Sequence, residues 1–186
     1  MAIRIKSHWH NENSGRSLEE IGSALAFNAW RLAKDKAINL HGVDFVYETD
    51  EQRMAVIAEY LIFQVQVADR LAHDVLQLDE ETRRSLIVGF VKNLAGHMQD
   101  NSIDLFGPGS YGSAFIGRLN ERAGEYAGFN FTDDGPSYPF YRHLGYEIQR
   151  IMGREGENRW VIDQVMDKDG PELAKQIQRT IIDLME

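Results

Sequence analysis

The sequence predicts an all-α fold, a single bundle-like domain of six to seven helices behind a short extended N-terminal arm. Three observations carry that expectation. Apolar residues recur at helical spacing through most of the chain, glycine- and proline-bearing breaks divide the pattern into helix-length pieces, and the one β-prone run, Val43 to Tyr47, has no second strand nearby. At 186 residues, with 43% apolar and 26% charged side chains and no low-complexity tract, one domain spanning 1–186 can bury a continuous core.

Residues 1–16 carry Gly, Asn and Ser without a helical period, which predicts the arm. Ser17 and Glu20 then make a capping-box pair, in which each side chain satisfies a backbone N–H that the first turn leaves unpaired. Ile21, Leu25, Ala29 and Leu32 follow at helical spacing to about Leu40, and Gly42 closes this first helix. Val43 to Tyr47 reads as an extended connector. Thr49 and Gln52 repeat the capping pattern and open a second helix that runs through Leu76 with neither Gly nor Pro inside. Asp79 caps a third helix, with Leu86, Phe90, Leu94 and Met98 on one side, to about Gln99. A loop at Phe106–Ser110 precedes a fourth helix over Ser113–Tyr126. Asp133–Ser137 is a turn-rich break, and Tyr138–Met152 a fifth helix with Pro139 accommodated in its first turn. A short sixth helix covers Trp160–Met166, and Pro171 opens the last.

Composition narrows the function classes. There are no cysteines, so disulfide frameworks, thiolate zinc sites and thiol catalysis drop out. A net charge of −9 sets the long-range field against phosphate backbones and anionic membranes. No run of about 18 uncharged apolar residues appears, and the first residues do not read as a signal peptide. The expectation is an acidic, soluble, cytoplasmic protein with neither nucleic acid nor membrane as a partner.

The second helix is the richest in candidates. At about 100° per residue, Gln52, Glu59, Gln66, Arg70 and His73 fall in one arc, which predicts a solvated stripe opposite Met54, Ile57, Leu61 and Val65. Ile62 and Phe63 lie in or beside that wet arc. Apolar groups there predict a partner surface formed by Ile62, Phe63 and Gln66.

Three helices each offer an imidazole with a carboxylate nearby: His73 with Asp69, His97 with Asp100, and His143 with Glu147. His73, His97, His143, Asp69 and Glu147 are therefore the candidate ligands for a divalent metal in a bundle core, although no Glu-x-x-His or His-Glu-x-x-His motif is present. The letters of Gly107–Gly112 match a dinucleotide fingerprint but follow a helix end rather than a buried strand, so they read as a helix-breaking loop. Gly112, Gly117, Gly124 and Gly128 around the fourth helix predict a tight helix crossing.

Three functional readings follow. The first is a homo-oligomeric interaction or binding protein without catalytic activity, most simply a homodimer or a chain with another protein partner, in which Phe63→Glu would separate subunits and spare the helices. The second is a metal-dependent helical-bundle hydrolase or oxidase using the His/carboxylate set. The third is a small-ligand pocket lined by Trp30, Tyr60, Phe90 and Tyr111.

Overall fold

A computed structural model describes residues 16–40 and 45–186, so the arm over 1–15 and Val43 and Asp44 of the connector lie outside the described residues. Within them the fold is all-α as expected. The helices are α1 (Leu18–Leu40), α2 (Asp50–Arg70), α3 (Glu80–Phe106), α4 (Tyr111–Tyr126), α5 (Tyr138–Met152), α6 (Val161–Gln164) and α7 (Gly170–Met185). The break after α4 folds into a minimal antiparallel hairpin, β1 (Phe131–Thr132) against β2 (Gly135–Pro136), turned by Asp133 and Asp134. None of the described helices is long and apolar enough to cross a membrane.

The caps form as side-chain chemistry dictates. Ser17 N donates to Glu20 Oε2 at 2.9 Å and Glu20 N to Ser17 Oγ at 3.2 Å, a reciprocal box. Gln52 N donates to Thr49 Oγ1 at 3.2 Å, while Gln52 Oε1 accepts from Glu48 N at 2.8 Å, one residue earlier than the box pattern. Thr82 N donates to Asp79 Oδ1 at 3.0 Å. α3 continues past Gln99 to Phe106, where Gly107 at φ 81° leaves the helix in a conformation that only glycine adopts freely.

Two helical registers differ from expectation. α2 does not run on as α-helix through Leu76; its last turn, Leu71–Val75, is π-helical. The sixth helix is composite: a 3-10 turn over Gly156–Trp160, the short α6, then a π turn over Val165–Asp169 that leads into α7.

α2 is the axis of the fold, and α1, α3, α4, α5 and α7 all pack against it. Against α1, Gln64 Nε2 donates to Ala29 O at 3.1 Å. Against α3, Arg83 lies 3.7 Å from Asp69. Toward α5, Gln52 Nε2 donates to Ile151 O at 3.3 Å, and before α7, Tyr60 OH donates to Asp169 Oδ2 at 2.6 Å. A helix covered on every side has to be apolar around most of its circumference, and Val56 to Val65 is a run of ten buried residues. The solvated stripe expected of α2 is therefore corrected: Glu59 is 1% exposed, and Ile62 and Phe63 are 0% exposed.

α1 and α3 run parallel at close quarters. A Cβ on Gly22 would meet Phe90 N at 2.9 Å and Gly89 C at 3.0 Å, and eight residues further along α1, Trp30 stacks on His97 with ring centroids 5.6 Å apart. Around α4 the close crossing belongs to Gly112 alone of the four glycines, where a Cβ would lie 2.9 Å from Ala95 O; Gly117, Gly124 and Gly128 face open space.

Candidate functional site

The buried stripe of α4 reads Phe115, Leu119, Arg122, Tyr126, so an arginine occupies a position where helical spacing calls for an apolar residue. Arg122 meets the polar residues that α2 and α5 turn inward. Its Nε and Nη2 donate to the two oxygens of Glu59 at 3.1 and 3.0 Å, a two-pronged pairing that matches the planar guanidinium to the carboxylate. Nη2 also donates to Glu147 Oε2 at 2.6 Å, and Nη1 to Glu125 Oε2 at 3.2 Å. Arg150 donates to Glu147 Oε2 at 2.7 Å. Burial disfavours the charged guanidinium of Arg122, yet its hydrogen bonds to Glu59 and the charges of Glu59, Glu147 and Glu125 outweigh that, and its pKa is pushed above the ordinary range.

His143 carries this network to the surface. Its Nε2 lies 2.8 Å from Glu125 Oε2, and its ring stands edge-on to buried Tyr126 at 4.9 Å and against Phe129 at 5.6 Å. The imidazole is thus oriented by a carboxylate that Arg122 orients in turn. On its open side His143 lines a cleft of about 520 Å³ between the start of the hairpin, α5 and α6. Phe129, Pro139 and Ile162 supply apolar wall, Tyr138 and Tyr146 present rings, and Arg142 and Arg154 supply positive charge. Arg154 lies over the Tyr146 ring, 5.9 Å from its centroid.

The candidate metal ligands separate. Among the described residues the group of three whose ligand atoms approach within 4.8 Å of one another is Glu125, His143 and Glu147. Two of the candidates thus come together, joined by a glutamate that sequence reasoning missed. A dication placed there would face the guanidinium of Arg122, which already serves both glutamates. His73, Asp69 and His97 do not join them. His73 is exposed, lies in the π turn, and pairs through Nδ1 with Asp74 at 2.6 Å. Asp69 instead lies near Arg83, and burial holds its carboxyl above the usual range.

His97 packs on Trp30, and burial lowers its pKa below the ordinary 6.5. A histidine depressed in the folded state takes up protons more readily when unfolded, so its contribution to stability is complete above pH 6.5 and is lost as pH falls through 6.5 toward the folded value. The wild type is therefore expected to lose more stability than His97→Gln between pH 7.5 and pH 5.5, read as urea midpoints; equal losses would show that His97 is not the group responsible.

The remaining candidates are structural. Ile62 and Phe63 are core residues and Gln66 is half-buried, so the partner surface expected on α2 is not at the surface. None of Trp30, Tyr60, Phe90 and Tyr111 lines the α5 cleft. Tyr60 is bonded to Asp169, Phe90 is fully buried, and Tyr111 OH donates to Gly107 O at 3.1 Å, closing the loop before α4. Tyr60 and Phe90 became core and Trp30 packs against it, the commoner use of aromatics at helical spacing. No protein-family model, curated protein or solved structure matches the chain, so function is read from this geometry.

Proposed function

We propose that the protein binds a small amphipathic ligand in the α5 cleft. The observation that carries this reading is a cleft of about 520 Å³ with apolar and aromatic walls and three nitrogen-bearing side chains at its edge. Ligand sites combine a concave, mostly apolar volume of about 300–1,000 Å³ with a few fixed polar groups. His143 is such a group, held by Glu125 and, behind it, by buried Arg122. The reading is preferred to self-association through α2, whose apolar residues are used up in the core, and to metal chemistry at Glu125, His143 and Glu147, where guanidinium groups already balance the carboxylates.

A titration with 8-anilinonaphthalene-1-sulfonate, an aromatic anion that fluoresces in apolar surroundings, tests the proposal. Saturable binding at one site per chain is expected, weakened about fivefold or more by Tyr146→Ala with the far-UV circular dichroism unchanged, because an aromatic contact contributes roughly 1 kcal/mol beyond the area it covers. No saturable binding, or binding indifferent to Tyr146, would remove the cleft from consideration.

A further inference from the structure

We infer that the ligand of this cleft is a planar aromatic or heteroaromatic group carrying a phosphate, with the ring laid on Tyr146 and the phosphate held between Arg142 and Arg154. The inference rests on the cleft reading above and commits it to a chemical class. In a chain with 29 acidic and 20 basic residues, arginines near carboxylates are readily paired. Around this site Arg122 serves Glu59, Glu125 and Glu147, Arg150 serves Glu147, and Arg70 donates to the carbonyls of Ala127 and Phe129 at 3.2 and 2.8 Å. Arg142 and Arg154 differ. Both line the cleft, and among the described residues neither forms a salt bridge; Arg154 meets only the Tyr146 ring. Two guanidinium groups without carboxylates, opening into one concave volume, are complementary to an anion.

The placement of the cations selects the kind of anion. Arg142 precedes Tyr146 by four residues on α5, one helical turn, so the two side chains leave the same face, and Arg154 reaches over the same ring from the segment after the helix. A carboxylate brings two oxygens and one charge to a pair of guanidinium groups; a phosphate monoester brings three terminal oxygens and two charges, the better match to two forks. Tyr146 is 44% exposed, with its ring offered to the cleft, and the nearby wall of Phe129 and Pro139 favours a planar apolar body over a sugar or a bare ion. The overall charge of −9 argues against a long nucleic acid, since repulsion accumulates along a polyanion. A single phosphate between two arginines is screened from charges beyond about 8 Å at physiological salt and responds mainly to its immediate neighbours.

Calorimetric titrations of the full chain at low salt with phenyl phosphate, benzoate and phenol test the inference. Phenyl phosphate is expected to bind about tenfold or more tightly than either of the others, and Arg142→Ala and Arg154→Ala each to weaken it about tenfold while leaving phenol unchanged. Tyr146→Ala should weaken all three. Benzoate or phenol binding as well as phenyl phosphate, or arginine variants that bind phenyl phosphate normally, would overturn the phosphate assignment and leave the cleft a ligand site. Failure of all three probes to bind would overturn the assignment and the cleft reading together.

Discussion

Phe63→Glu is expected to unfold the chain rather than to separate subunits. Phe63 is fully buried on α2, with Tyr141 at 6.0 Å and Tyr126 at 6.5 Å between ring centroids. Removing a buried phenyl group costs about 3–5 kcal/mol, and an unpaired carboxylate in its place adds a desolvation penalty of several kcal/mol more. A domain of this size has a total stability of about 5–15 kcal/mol, so the sum consumes most or all of it. The expected result is a collapse of the far-UV helical signal at 25 °C, or a urea midpoint close to zero. The outcome that would sink this account is a fully helical variant with half the sedimenting mass of the wild type, which would place Phe63 in an interface between copies.

The second large effect is expected at Arg122. Arg122→Met leaves Glu59 and Glu147 buried without their shared cation, and stranding buried charges in this way costs about 3–5 kcal/mol. The cost belongs to the stranded carboxylates, so combining Arg122→Met with Glu59→Leu and Glu147→Leu should restore much of the loss, because well-packed apolar replacements of buried ion clusters are frequently neutral or better. Urea unfolding of the single and triple variants reads both terms. If the three substitutions destabilise additively, the network contributes through packing rather than through charge balance.

How much of this was legible in the sequence depends on how local the cause is. The starts of α1, α2 and α3 follow from Ser17 with Glu20, Thr49 with Gln52, and Asp79, because a cap is a contact between residues three apart. α5 spans Tyr138–Met152 as its spacing predicts. The faces of α2 were not legible. Whether Glu59 faces water depends on Arg122, 63 residues later, and a wheel drawn for one helix contains no information about what covers it. The same limit applies to the close approach of Gly22 to Gly89, which needs both helices to be seen together.

The site was half legible. His143 and Glu147 stand out as an imidazole and a carboxylate four apart beside an apolar stripe. Glu125 and Arg122 were missed, although a signal existed: Arg122 interrupts the stripe of Phe115, Leu119 and Tyr126, and a charge in such a place calls for buried partners. The cleft had no comparable signal, since its lining comes from Phe129 before the hairpin, α5, the segment after it and α6.

The enclosure of α2 also bears on how the protein is made. Its apolar circumference leaves the ribosome second among the described helices, while α5 and α7, which complete its covering, are translated last. During that interval roughly a hundred residues emerge, which at about 5–20 residues per second is several seconds of bare hydrophobic surface. A nascent chain therefore carries α2 incompletely covered until α5 and α7 have been made. Once folded, the amides of the buried run from Val56 to Val65 are expected to exchange with solvent mainly through global opening.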